Sequence, residues 1–264
     1  MKINAGIHYT QILSGKWYSL RRVPVLLATL CYVEQGSKLV SIGQHSSLID
    51  QSALLLLPAG HEFEIVNRPV QERYAAQLLS FSSEYLQGFS QRYSGLLESQ
   101  QDQVQKLCLR LDYRSELKFA WQTLLAATLT PGSAARQIHA ADGLLLALHE
   151  QGGLQYWLHS PLQDWPQKLE QLFMLQAWQD WTIDQVAAHF GLGASTLRRH
   201  LKRQGESFSQ ILERVRMAIA LQRLQTSSLS IAEIAQQVGY LSASRFSHRF
   251  RQRYGLMPSQ VGRQ

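Results

Sequence analysis

The stretches TIDQVAAHFG (residues 182–191) and SIAEIAQQVG (residues 230–239) decide the reading of this 264-residue chain. They align at an offset of 48, and each opens on a hydroxyl residue, Thr182 or Ser230. Such a residue suits a helix N-cap, where its side-chain oxygen accepts a backbone N–H that the helix leaves unpaired. Ser230 also has Glu233 three residues on, the capping-box arrangement. Each stretch carries apolar positions at helical spacing and ends on a glycine, Gly191 or Gly239, fit for the left-handed turn that stops a helix. A second helix follows in each copy, GASTLRRHLKR (193–203) and SASRFSHRFR (242–251), now at an offset of 49, so the second copy has one extra turn residue. Leu197 and Leu201 match Phe246 and Phe250, an i, i+4 apolar pair that anchors each helix to its own core. A helix, a glycine turn and a second helix that buries Leu or Phe while showing small polar and basic residues make the helix-turn-helix pattern. One copy is a weak signal; the repeat is a strong one, set against the plainer reading of a helical bundle with basic decoration.

The charge points the same way. Residues 1–165 hold 13 Lys+Arg and 13 Asp+Glu, whereas residues 166–264 hold 13 and 6, so the whole net charge of +7 lies in the last 99 residues. Segregation of this kind is the electrostatic footprint of a domain that faces a polyanion. Between the two units, Phe208 to Leu224 predicts one continuous helix, roughly 25 Å long at 1.5 Å per residue. A rod of that length suits two recognition helices about one DNA turn apart, near 34 Å.

Upstream the texture changes. To about residue 85, short apolar runs (Val23 to Leu30, Ala53 to Leu57) alternate with turn signals such as Gln35-Gly36-Ser37 and Pro58-Ala59-Gly60, which predicts a small β-barrel or sandwich. The segments 84–97, 115–129 and 134–149 read as helices. Gly152-Gly153 to Pro166 is the linker candidate. The expected domains are therefore 1–163, a sensor and dimerisation domain with trailing helices, and 164–264, an all-helical DNA-binding domain; the fold class is α+β. No apolar run approaches the roughly 18 residues that span a bilayer. Met1-Lys2-Ile3-Asn4 opens no signal peptide, so the expected location is the cytoplasm, with Cys31 and Cys108 as reduced thiols.

The C-terminal residues closely resemble the AraC/XylS family of bacterial transcription regulators. The resemblance is carried by Ile183-x-x-Val186-Ala187, Ser195-Thr196-Leu197-Arg198-Arg199, Ile231-Ala232-Glu233-Ile234-Ala235-x-x-Val238-Gly239-Tyr240, Ser244-Arg245-Phe246-Ser247-x-x-Phe250 and Tyr254-Gly255-x-x-Pro258-Ser259. Two departures stand out: Gly193 begins the first recognition helix where the family often has Ser, and after Pro258 the closing aromatic and arginine are replaced by Val261 and Gly262. The resemblance implies a cupin-like β-barrel ahead of the DNA-binding domain, double-stranded DNA and RNA polymerase as partners, a homodimer on DNA, and regulation, most often activation. Residues Leu78 to Phe89 further resemble the barrel-to-helix junction of virulence and stress activators, including those of type III secretion genes.

Side chains near the start of each recognition helix are expected to meet base edges. By the family motif these are Ala194, Ser195, Arg198 and Arg199 in the first unit, and Ala243, Ser244, Arg245, Ser247 and His248 in the second. Arginine reaches guanine O6 and N7 with two hydrogen bonds, which puts Arg198 and Arg199 first for specificity. Lys202, Arg203, Arg249, Arg251 and Arg253 are expected on phosphates, which set affinity and register without reading sequence.

For the N-terminal half three roles stand open: holding a small effector, docking a regulatory protein, or dimerisation alone. Lys16, Arg21, Arg22 and Lys38 are candidates to meet an effector carboxylate in an otherwise apolar pocket. His45 and His61 are isolated, so no metal or other cofactor is expected. No catalytic triad order, P-loop or dinucleotide fingerprint is present, so an enzyme is not expected.

Overall fold

A computed structural model describes residues 6–97, 109–154, 157 and 164–261. The N-terminal half is built from nine strands: β1 (Ile7–Ser14), β2 (Tyr18–Val25), β3 (Ala28–Gln35), β4 (Ser37–Ile42), β5 (His45–Ile49), β6 (Ala53–Leu57), β7 (His61–Arg68), β8 (Tyr74–Phe81) and β9 (Leu109–Asp112). They form two antiparallel sheets, ordered β1-β8-β3-β6-β9 and β2-β7-β4-β5. This corrects the expected cupin-like barrel: no hydrogen-bonded strand pair joins the two sheets among the described residues, so the barrel is not closed. The chain changes sheets at Gly36, whose φ of +84° lets β3 run straight into β4. A side chain there would meet the Arg68 carbonyl at 2.5 Å. The apolar run Val23 to Leu30 is likewise two strands, broken at Leu26-Leu27 as the chain crosses from one sheet to the other.

Alternation assigns the faces. Val33, Val40, Leu55, Phe63 and Ala76 fill the space between the sheets. Leu30, Leu54, Leu56, Leu79 and Phe81 point the other way, under α1 (Ser83–Arg92), α3 (Ser115–Leu129) and α4 (Ala134–Glu150). Because β6 is covered on both faces, all of its residues, Ala53 to Leu57, are buried, which is why its sequence is an unbroken apolar run. A short α2 (Ser94–Leu97) follows α1. Asp142 of α4 accepts hydrogen bonds from Tyr85 (2.6 Å) and Arg92 (2.7 Å), fixing α1 against it. The expected boundary near residue 163, and Cys108, lie outside the described residues; Cys31 is a buried free thiol.

The C-terminal part is all helical: α5 (Trp165–Leu175), α6 (Ile183–His189), α7 (Ala194–Arg203), α8 (Phe208–Thr226), α9 (Ile231–Gln237), α10 (Ala243–Tyr254) and a final 3₁₀ turn, Pro258–Gln260. Helix α8 serves two cores. Its first half, with Ile211 and Val215, packs with Leu169, Phe173, Val186, Leu197 and Leu201. Its second half, with Met217, Leu221 and Leu224, packs with Ile234, Val238, Phe246, Phe250 and Tyr254. The second core also takes in Tyr18, Leu20 and Val23 of β2, so it spans both halves of the molecule. Val261 is buried in it, filling the end of the chain where the family's closing aromatic is missing. Among the described residues no helix is long and apolar enough to cross a membrane.

Candidate nucleic-acid interface

The two repeated stretches form two helix pairs of the same build. Thr182 and Ser230 cap α6 and α9, and in each the third helical residue, Gln185 or Glu233, reaches back to the cap's own N–H. Gly191 and Gly239 sit at φ +67° and +82°, ending the first helix of each pair. Leu197 and Leu201 root α7, and Phe246, Phe250 and Tyr254 root α10, which turns the opposite face of each helix to solvent. Ser195, Arg198, Arg199, Lys202 and Arg203 are exposed on α7, and Ser244, Arg245, His248, Arg249 and Arg251 on α10. Ala194, Ala243 and Ser247 are half-buried at the starts of these helices. The Ser247 hydroxyl donates to the Ala243 carbonyl at 2.8 Å.

Most of these cations are uncommitted. Arg198, Arg199, Lys202, Arg203, Arg245 and Arg251 make no salt bridge among the described residues. Arg249 is only loosely engaged, 3.6 Å from Glu213 of α8. Arg253 is placed differently. Its side chain is 12% exposed and its guanidinium donates to Glu62 of β7 at 2.5 Å. Glu62 also accepts from Arg22 at 3.1 Å. Arg22 adopts φ +51° at the bulge where β2 shifts register between Leu20 and Val23. Burial pushes the Glu62 carboxyl up, but Arg253 and Arg22 more than offset this and hold it below its usual range.

Other polar ties cross the same seam. Gln225 of α8 and Asn67 of β7 both donate to the Tyr18 hydroxyl, at 3.0 and 2.9 Å. Lys38 donates to Asn67 at 2.6 Å, and Gln222 of α8 donates to Thr10 at 3.0 Å. Beside them lies a mainly apolar cavity of about 190 Å³, lined by β1, β2 and β3 on one side and by Ile219, Leu221 and Gln222 on the other. Lys38, 3% exposed, lies on its wall, and burial drives its amine below the usual range although the neighbouring Cys31 opposes this. Of the four basic residues singled out as carboxylate partners, only Lys38 lines this cavity; Arg22 is held by Glu62, and Lys16 and Arg21 are exposed. His61, whose ring packs beside Phe63 at 6.5 Å, belongs to no group of metal ligands among the described residues.

The sequence did not single out Glu62, Tyr18, Asn67, Gln222 or Gln225, whose roles arise from contacts between distant parts of the chain. It also passed over Leu241. This is where the second unit has its extra turn residue, and it stands fully exposed immediately ahead of the cap of α10.

Two capped helix pairs, each with a basic, solvent-facing second helix, have the build of the helix-turn-helix class of domain. Residues 186–264 match the family model described as a helix-turn-helix domain. Among curated proteins, the urease operon transcriptional activator of Escherichia coli is 38% identical over 94 residues, 36% of this chain and 32% of that protein. The HTH-type transcriptional regulator GadX of Escherichia coli strain K12 is 35% identical over 81 residues, 31% and 30% of the two chains. The chain thus spans about a third of the length of the curated relatives it matches. Those relatives are transcription regulators, not enzymes. Over residues 186–264 the chain is thus similar to the helix-turn-helix part of these regulators. Among solved structures, ToxT of Vibrio cholerae superimposes over nearly the whole molecule. An apo form of it that carries a single substitution has a TM-score of 0.70 at 14% identity, covering 98% of both chains. Its form with an unsaturated fatty acid bound scores 0.65 at 15% identity, covering 98% of this chain and 96% of ToxT. At that identity the likeness is one of fold.

Proposed function

We propose that the chain is a sequence-specific transcription regulator, an activator, whose two helix-turn-helix units grip successive major-groove segments of double-stranded DNA. One observation carries the reading: two basic recognition helices, α7 and α10, are rooted in cores that share the single helix α8. Its 19 residues give a rod of about 28 Å, comparable to the spacing of major-groove segments one turn apart. Ser195, Arg198 and Arg199, with Ser244, Arg245 and His248, read bases from this scaffold, and Ala194, Ala243 and Ser247 line the approach. Lys202, Arg203, Arg249 and Arg251 hold phosphates; Arg253 joins them only after leaving Glu62. RNA polymerase is the partner through which an activator acts, the protein works in the cytoplasm, and it binds DNA as a homodimer. Residues 1–163 form the sensor and dimerisation domain and residues 164–264 the DNA-binding domain.

The N-terminal domain tunes DNA occupancy through a small effector in the seam cavity. The cavity's apolar walls and the buried Lys38 amine suit a molecule with an aliphatic body and a carboxylate head. The fatty acid bound by ToxT, a protein of the same fold, favours this class over a sandwich that serves only for protein docking. A ligand there touches both the sandwich and α8, so it favours the arrangement in which Arg253 is held by Glu62 and lowers DNA affinity.

The test is selection from a pool of random duplexes by the full-length protein at two salt concentrations, with and without an unsaturated fatty acid. The expected result is a site with two informative segments about one turn apart, and a raised concentration for half-binding when the fatty acid is present. Binding that depends on salt but not on sequence would mark a generic polyanion binder and reject the regulator. Sequence-specific binding indifferent to fatty acid would keep the regulator and reject this effector.

A further inference from the structure

We propose that the outer face of the five-stranded sheet, beyond the cover of α3, is a binding site for a small organic ammonium ion. The site is separate from the seam cavity and from both recognition helices, and it does not depend on the functional reading above. Its charged member is Glu34 of β3. Both Glu34 carboxylate oxygens are pinned, Oε1 by Gln77 at 2.9 Å and Oε2 by Gln11 at 3.3 Å. Both donors are neutral amides, and no salt bridge reaches Glu34 among the described residues. Gln77 is itself fixed, because the Trp121 indole N–H donates to its Oε1 at 3.0 Å. A chain of hydrogen bonds from α3 through β8 to β3 therefore holds a negative charge in one place and leaves it unneutralised.

Aromatic rings share that face of the sheet. Strand register puts Gln11, Gln77 and Tyr32 in one row across β1, β8 and β3, with Tyr9 one step along β1 on the same face. Tyr113, just past β9, donates its backbone N–H to Ser52, and its ring lies against Tyr32 with centroids 4.4 Å apart. Trp121 closes the inner side, its ring 6.0 Å from that of Tyr32. Tyr9, Tyr32 and Tyr113 are half-buried, so each keeps an edge or face in solvent. The Glu34 charge reaches all three: burial raises each phenol, and the carboxylate raises it further.

Three half-buried tyrosines on the same face as one fixed carboxylate without a cationic partner match the demands of an organic cation. Ring faces attract a positive charge through their quadrupole, the more so when the site is partly desolvated. The carboxylate supplies the net charge that rings alone lack. An anion would be repelled by Glu34, and a purely apolar molecule would leave that carboxylate buried without compensation. The strands fix the side chains before any ligand arrives, so little ordering is left to binding.

The experiment is equilibrium dialysis of choline against the full-length protein, compared with 3,3-dimethylbutan-1-ol, its neutral isostere of the same shape. Choline is expected to bind at least about tenfold more tightly, a difference of roughly 1.4 kcal/mol. Glu34→Gln should cut that preference several-fold, Tyr32→Leu should weaken choline several-fold, and Tyr32→Phe, which keeps the ring face, should bind as the wild type does. Near-ultraviolet circular dichroism checks that each variant is folded. Should Tyr32→Leu not fold, the pair of ligands on the wild-type chain still decides. Equal affinity for the two, binding of neither, or a choline affinity untouched by Glu34→Gln would overturn the proposal. Since no DNA enters the assay, its failure leaves the regulator reading intact, and failure of that reading leaves this one intact.

Discussion

Leu241 projects into solvent from the turn that carries the second unit into α10, two residues ahead of the first helical position. A large apolar side chain with no protein contact contributes little to folding, so Leu241→Ser should leave the unfolding midpoint within about 0.5 kcal/mol of wild type. If α10 enters the major groove, that side chain meets a thymine methyl, and the same variant should lose about 1 kcal/mol on the selected site with tolerance gained at one position. Arg199 and Arg203 separate two roles on α7. Arg199→Ala should cost about 1–3 kcal/mol on the selected site and relax one base position, whereas Arg203→Ala should weaken selected and random duplexes alike and lower the salt slope by about one. Titrations against both duplexes at several salt concentrations distinguish them. Arg214 is instead structural: it donates to Glu170 and Glu206 at 2.7 Å each, and the Glu170 side chain is 6% exposed. Burial raises the Glu170 carboxyl against the pull of Arg214. Arg214→Met would leave that carboxylate buried and unpaired, at a cost of about 3 kcal/mol in urea unfolding. Adding Glu170→Leu should recover much of it; no recovery would show that packing of the Arg214 stem, not its charge, is what matters.

At the scale of elements, the helix pairs were the most legible part of the chain. Their signals are local: a hydroxyl cap with its partner three residues on, an i, i+4 apolar pair, a glycine at a fixed offset. Helices α3 and α4 also fall where their proline-free apolar spacing put them. The sheets were only partly legible, since alternation marks a strand but not its partner. Nothing in Val23 to Leu30 announces that the chain leaves one sheet at Val25 and enters another at Ala28. The glycine of the second turn carries more than its left-handed backbone. The Arg216 guanidinium, which donates to the carbonyls of Ala177 and Gln179 ahead of α6, lies against Gly239. A Cβ at that position would come within 2.7 Å of it. Gly239→Ala should therefore both strain φ +82° and displace the arginine that ties one helix pair to the other. The expected loss is on the order of 1–3 kcal/mol by thermal or urea unfolding. Gly191 has nothing within 4 Å of its Cβ position, so Gly191→Ala should lose less. Equal losses would mean that backbone strain alone accounts for both.

At the scale of the whole molecule, the deciding contact joins residues 191 apart in sequence, Glu62 and Arg253. The sequence marks Arg253 as one more cation on a basic helix; only the register of β2 and β7 against α10 shows that it faces a carboxylate. While that ion pair and the shared core of Tyr18, Leu20 and Val23 hold, α10 is fixed to the sandwich and Arg253 cannot reach a phosphate. Glu62→Gln should free Arg253 and raise affinity for the selected DNA site a few-fold, with a slightly steeper salt dependence. The ion pair is partly exposed on the Glu62 side, at 30%, so its contribution to stability is at most about 1 kcal/mol. Its pH dependence has a fixed sign. The Glu62 carboxyl titrates below its usual range in the folded chain, so the stabilisation is complete at neutral pH and is lost as pH falls through that depressed value. The stability gap between wild type and Glu62→Gln in urea should accordingly be constant near neutrality and close under acid conditions. A gap that stays open in acid, or a Glu62→Gln protein that binds DNA no better than wild type, would mean that the shared apolar core, and not this ion pair, keeps α10 on the sandwich.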